Sequence, residues 1–480
     1  MGADLRGDMS EEYLYLQLAN DLRNAIKQGV YGINERMPSL RRVSLHYKVS
    51  LATAVQAYQL LEDEGLLTAR PKSGYFVQPW NSEQPLEPET SNPPFRATNV
   101  NVGALALSLI NESKSSKLIK LGAAVPGANL LPLKVIARNM ASVARRHWAD
   151  AASYESPRGV LPLRRQIARL MRQAGCQCTP EDIIVTNGCL EALTLALRTV
   201  TKPGDTVAIE SPTYFGVLQV MESLGLKALE VATHPSIGVD VDALEDAIHK
   251  KNISACILMP NNNNPLGSYM PDAHKQRVVT LLQQANITLI EDDVYGTLSY
   301  ERPRPKAAKA YDKTGNVILC SSFSKTIAPG YRIGWLFSNT LSERMEYHKF
   351  LANISTATLP QLALAEFLAR GSYSRSLQNS ITIYRQRMDR LRFWINEYFP
   401  GDIRMSQPKG GFVLWLELPK HVDCVALYRK AMEKRIAISP GVLFCARGQY
   451  RHHIRLSCGA VEGETMRKAI KTLGSLISSQ

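Results

Sequence analysis

The sequence predicts two folded regions: a large α/β domain built on a mainly parallel sheet with helices on both faces, and, ahead of it, a small helical head that ends in a hairpin. Three observations lead there. From about residue 117 onward, strand-like apolar runs alternate with helical patterns. Residues 11–78 read as helix, helix, turn, helix and hairpin. Between the two, Pro, Ser, Glu and Asn displace the periodic apolar residues. A chain of 480 residues, 45% hydrophobic, also exceeds the length at which one core stops growing.

In the head, Leu14, Leu18, Leu22 and Ile26 recur four apart within residues 11–28, which places them on one helical face. Pro38 precedes a second helical stretch with Leu40, Val43 and Leu45. Ser50 stands ready to cap a third, which carries Ala54, Ala57, Tyr58 and Leu61 and ends at Gly65. Leu66–Arg70 and Tyr75–Val77 are two short strands joined by Pro71-Lys72-Ser73-Gly74, a winged helix-turn-helix order. Residues 79–116, beginning PWNSEQPLEPETSNPP, read as a flexible linker.

In the large region the runs Ile183–Val185, Val207–Ile209, Ala255–Leu258, Thr288–Ile290 and Val317–Leu319 are the expected parallel strands. Ligands of such sheets sit beyond the carboxyl ends of the strands. Reactive-looking residues follow these runs: Cys189 after the first, Tyr214 after the second, Asn264 after the third, Asp292 after the fourth and Lys325 after the fifth.

Composition narrows the setting. The eight cysteines are scattered, only Cys176 and Cys178 lie close together, and no second pair stands at metal-ligand spacing, so a reduced cytoplasmic protein without a metal site is expected. MGADLRGDMS lacks the apolar run of a signal peptide, Arg6 stands where a myristoylation signal needs Ser or Thr, and no apolar stretch is long enough for a membrane span. The formal charge of +14 permits a polyanionic partner without specifying one.

Residues 37–77, MPSLRRVSLHYKVSLATAVQAYQLLEDEGLLTARPKSGYFV, resemble the DNA-binding domain of the GntR family of bacterial regulators. The resemblance implies that a recognition helix opening at Ser50 presents Ser50, Thr53 and Gln56 to base edges, while Ser39, Arg41, Arg70 and Lys72 hold phosphates. Leu51 stands where many members carry Arg, and Lys72 where many carry Gly, so the operator cannot be inherited from relatives.

The string SSFSKTIAPGYRIGW, residues 321–335, resembles the lysine loop of fold-type I pyridoxal-phosphate enzymes, whose small C-terminal α+β domain would here span about 375–480. That likeness implies pyridoxal 5′-phosphate on Lys325, with Ser322, Ser324 and Arg332 on the phosphate. By the same likeness Asp292 meets the pyridine nitrogen, and Tyr295 and Asn264 meet the phenolic oxygen. Tyr214 stacks on the ring, and the turn Gly188-Cys189-Leu190 offers backbone N–H groups at a helix start. Tyr154 reaches the partner's phosphate, Arg455 clamps a substrate carboxylate, and Asn264 is a second substrate-binding residue. Catalytic roles fall to Lys325, Asp292 and Tyr214.

Joined in this order, residues 1–78, 79–116 and 117–480 are similar to the MocR subfamily of GntR regulators. That likeness implies a homodimer whose DNA-binding heads exchange between subunits. Two functions stand open: a regulator sensing an amino compound or the cofactor itself by aldimine exchange at Lys325, or an aminotransferase carrying an accessory DNA-binding domain. A winged helix has no use in free amino-acid metabolism, which favours the regulator; weak transaminase activity fits both.

Overall fold

The computed structural model describes residues 7–27, 30–32, 35–70, 73–78, 85–101 and 117–480. The head contains α1 (Gly7–Lys27), α2 (Leu40–Tyr47) and α3 (Leu51–Asp63), followed by the antiparallel pair β1 (Leu67–Arg70) and β2 (Gly74–Val77). Leu18, Leu22 and Ile26 of α1 close on Val43 of α2 and on Ala54, Ala57, Tyr58 and Leu61 of α3. The Tyr58 hydroxyl donates to the Pro38 carbonyl at 2.7 Å, so the largest ring of this small core has its polar end satisfied. Leu14 and Leu45 belong to the expected apolar faces but stand 39% and 80% exposed. Three helices are too few to cover the end of α1 and the outer side of α2.

Ser50 is the N-cap of α3, its Oγ accepting from the Thr53 N–H at 3.0 Å, and Ser39 caps α2 by accepting from the Arg42 N–H. The cap fixes the phase of α3 and corrects one expectation. Thr53 is 2% exposed and its hydroxyl shares a 2.8 Å hydrogen bond with Ser50, so it cannot reach a base edge.

Behind the head, the main sheet runs Thr98–Asn99, Lys227–His234, Thr206–Ser211, Ala255–Leu258, Thr288–Asp292, Val317–Ser322, Gly334–Phe337, Ile183–Thr186 from edge to edge. Successive pairs from Lys227–His234 to Val317–Ser322 are parallel, and Gly334–Phe337 is antiparallel to both its neighbours. All five strands expected from apolar runs are present. Strand Gly334–Phe337 was concealed within the lysine-loop string. A second sheet of four strands, Arg404–Met405, Val413–Glu417, His453–Ser457 and Ser439–Pro440, builds the C-terminal part. The parallel pairing of Ile119–Lys120 with Ile436–Ala437 ties the start of the large domain to it.

Residues 85–101 depart from the expected free linker. Met405 N–H donates to Leu86 O at 2.9 Å, Glu89 pairs with Arg404 at 3.1 Å, Ser91 and Thr233 exchange hydrogen bonds, and Thr98–Asn99 adds an antiparallel edge to the main sheet. Polar composition concealed an extended strap whose backbone groups find partners on the large domain. The head meets its own chain's helix Ser372–Tyr398: Asp63 pairs with Arg390, and Gly65 lies against the Phe393 ring.

Candidate functional site

A cavity of about 580 Å³ opens where the strand ends converge. Lys325 closes the short turn Phe323–Lys325 that follows strand Val317–Ser322, with Ser322 capping that turn. Its Nζ donates to the Ala124 carbonyl at 2.7 Å and lies 5.7 Å from the centre of the Tyr295 ring. Burial, helped by the nearby Arg455 charge, lowers the Lys325 amine from its usual 10.5 to about 8. The neutral, nucleophilic form is therefore far more populated near neutral pH than in an ordinary lysine, though still the minor form.

Asp292 ends strand Thr288–Asp292 and is 3% exposed. The Val294 N–H donates to its Oδ1 at 3.1 Å and the Cys189 thiol lies 3.8 Å from the same atom. Burial raises its pKa to about 6, so at pH 7 it is an ionised acceptor facing a low-dielectric cavity. Tyr295 is buried, its ring edge-on to Phe412 at 5.5 Å, and its hydroxyl has no hydrogen-bond partner among the described residues. Burial pushes the Tyr214 phenol up to about 12.

Arg455 extends from strand His453–Ser457 and is 2% exposed. Nη1 donates to Asn264 Oδ1 at 2.8 Å, Nη2 donates to Gly122 O and to Ser439 Oγ at 3.2 Å, and Nε has no partner among the described residues. The Arg332 guanidinium donates to Ser324 Oγ at 3.5 Å and Asn187 O at 3.0 Å. Gly188, at φ +86°, lies so close to it that a Cβ would overlap Arg332. Only glycine permits this approach of a helix N-terminus to a cation.

Thus Lys325, Asp292, Tyr295, Asn264, Tyr214, Ser322, Ser324, Arg332, Cys189, Leu190 and Arg455 all line the cavity, with Gly188 beneath Arg332. Tyr154 is 82% exposed and outside it. Two supporting carboxylates escaped the sequence reading. Glu191 Oε2 accepts from Asn187 N–H at 2.6 Å and Lys349 Nζ at 2.8 Å, pinning the Gly188 turn. Buried Glu210 accepts from Met259 N–H at 2.7 Å ahead of the Asn264 turn. The motif strings contained or adjoined both residues, but a carboxylate that holds backbone leaves no separate pattern.

On the head, Arg41, Arg42, Gln56 and Arg70 are exposed, as are Leu51, Ala52 and Gln59 on the outer side of α3. The Arg70 guanidinium lies 4.3 Å over the Phe76 ring, on the hairpin. Lys72 lies outside the described residues. Ser39 and Ser50 are exposed, but their hydroxyls are engaged as caps.

Fold and cavity together define a class: an aminotransferase-like ligand-binding domain carried behind a bacterial DNA-binding head. Residues 116–473 match the family "Aminotransferase class I and II", and residues 14–77 match "Bacterial regulatory proteins, gntR family". The chain belongs to the MocR subfamily of GntR regulators, which joins these two domains in this order. It is 39% identical to the HTH-type transcriptional regulator YjiR of Escherichia coli, over 96% of this chain and 98% of that one. It is 36% identical to YdcR of the same organism, over 97% and 99%. Among solved structures, α-aminoadipate aminotransferase LysN of Thermus thermophilus, complexed with N-(5′-phosphopyridoxyl)-L-leucine, is similar. It has a TM-score of 0.71 and 26% identity over 78% of this chain and 97% of that one. Among the described residues no helix is long and apolar enough to cross a membrane, and no cluster of His, Cys, Asp and Glu could hold a metal.

Proposed function

We propose that this chain is a pyridoxal 5′-phosphate-dependent transcription regulator that senses an amino compound through Lys325. One observation carries the reading: the Lys325 amine, the buried Asp292 carboxylate and the Arg455 guanidinium share one cavity in a chain that begins with a DNA-binding head. The cofactor fits the donors available. The unpartnered Tyr295 hydroxyl and the Asn264 amide suit its phenolic oxygen, Asp292 its ring nitrogen, and the Gly188 turn with Ser322, Ser324 and Arg332 its phosphate. When bound, the cofactor supplies an aldehyde for which Lys325 and an incoming amine compete.

The chain's own groups supply the rest. Arg455 orients a carboxylate with a guanidinium already fixed by Asn264 and Ser439. Lys325 Nζ, near its titration point, accepts or returns a proton beside the ligand. Leaving Ala124 O frees the amine for that task and changes the segment that joins the strand Ile119–Lys120 to the cavity.

In this reading two copies pair. Tyr154, Tyr347 and Leu351 are large, 60% or more exposed, and suited to cover by a second copy, with Tyr154 then reaching the other copy's phosphate site. Exchange of the heads would replace the contacts that Asp63 and Gly65 make with Arg390 and Phe393 of their own chain by the same contacts with the other copy. On DNA, Gln56, Gln59 and Leu51 of α3 face base edges, while Arg41, Arg42 and Arg70 hold phosphates. Full-length protein loaded with the cofactor is titrated with amino acids while its absorbance and operator affinity are followed together. The expected result is a joint change. Spectral change with turnover of a keto acid and unaltered operator affinity would mark an aminotransferase instead.

A further inference from the structure

We infer that the amine recognised here is an α-amino carboxylate with an uncharged, apolar side chain of branched-aliphatic or aromatic size; this rests on the reading of Lys325 and Arg455 above. Much of the cavity wall is apolar. Val125, Leu190, Phe215, Ile438 and Leu443 line it from five separate parts of the chain. The Phe215 ring packs on Tyr214 at 4.9 Å and edge-on to Phe444 at 5.9 Å, and Phe444 lies 4.9 Å beneath the Arg455 guanidinium. Phe444, fully buried behind the wall, therefore backs both Phe215 and the carboxylate clamp.

Charge narrows the choice. Among the described residues, Asp292 is the only acidic side chain on the cavity wall, and it is held by the Val294 N–H with the Cys189 thiol close by. A ligand with a second ammonium would bury that charge without a partner of its own. A ligand with a second carboxylate needs a second cation. Arg332 and Lys325 face the cofactor end, and Arg455 is one guanidinium that already donates three hydrogen bonds, to Asn264, Gly122 and Ser439. Lys120, partly exposed, is the remaining basic residue among those described on the wall. One clamp, no acid free to pair a second ammonium and an apolar remainder suit a monocarboxylic amino acid whose side chain gains by leaving water.

The test uses the full-length protein loaded with pyridoxal 5′-phosphate, titrated with alanine, leucine, phenylalanine, glutamate and lysine, with cofactor absorbance as the readout of binding. Leucine or phenylalanine is expected to half-saturate at a concentration at least about tenfold below alanine, glutamate and lysine, the size of one or two buried methylenes. Val125→Arg, at a site 44% exposed and so tolerant of a longer side chain, is expected to move the preference toward glutamate. Lys120→Ala is expected to leave the leucine response in place. Glutamate as the tightest ligand, with its response lost in Lys120→Ala, overturns the assignment while leaving the sensor reading intact. A spectrum that no amino acid alters overturns both.

Discussion

The head and the large domain handle charge in opposite ways. Residues 1–78 contain nine basic and nine acidic residues, so the whole formal surplus of +14 lies behind the head, in a region whose key charges face a ligand cavity. In the head, the cations suited to phosphate are exposed and placed by capped helices. In the large domain the working groups are buried, Asp292 to 3% and Arg455 to 2% exposure, and burial changes their chemistry. Net charge therefore says little about where DNA is held; a neutral domain can do it if its arginines stand on the outer face. The two regions should also fail independently.

The sharpest separation is expected from Lys325→Ala. The visible absorbance that depends on the bond between Lys325 and the cofactor should vanish, while operator affinity without effector stays within about threefold, since no described head residue touches Lys325. A collapse of both would erase the distinction. Next in size is Arg455→Ala, which removes a buried clamp and leaves Asn264 without its donor. Amino-acid half-saturation measured spectroscopically should rise about 100-fold, the scale of losing one side of a buried charge pair, with DNA binding of the ligand-free protein unaffected.

From the other side, Arg41→Ala should weaken operator binding about tenfold and reduce the slope of log affinity against log salt by about 0.9, the signature of one phosphate contact. Cofactor absorbance should not move. A smaller effect concerns pH. The folded-state pKa of Lys325 is lowered to about 8, so between pH 8 and 10.5 the unfolded chain binds the extra proton and stability rises with pH. Cofactor-free wild type should thus gain on cofactor-free Lys325→Ala across that window in denaturant melts; a constant difference would place the amine in water. Smallest is Arg390→Ala at the partly exposed pair with Asp63, worth under about 1 kcal/mol to stability. If the head contact carries the signal, this variant alters the amino-acid response of operator binding more than it alters melting.

The two regions also differ in how much their sequences disclose. Cofactor chemistry demands particular atoms at strand ends, so Lys325, Asp292, Asn264, Tyr295 and Arg332 were legible one by one, and the cavity brings them together. Five strands of the main sheet were legible because buried strands read as continuous apolar runs, though one of them, Ile183–Thr186, pairs only with the antiparallel Gly334–Phe337. On α3 the outline was legible but the facing was not. Thr53 is polar and three residues into a recognition helix, yet the cap from Ser50 turns it inward and leaves Gln59 and Ala52 outside. Strap 85–101 was missed for another reason: its contacts are backbone hydrogen bonds and single ion pairs, which no side-chain periodicity announces.

That strap has a geometric consequence. With Leu86 already fastened to Met405, only the stretch between Gln78 and Pro85 remains to span the distance from head to core. Seven peptide steps cover at most about 25 Å. Pro85 is thus a fixed mooring, and where the core holds it limits how far from the large domain the head can stand.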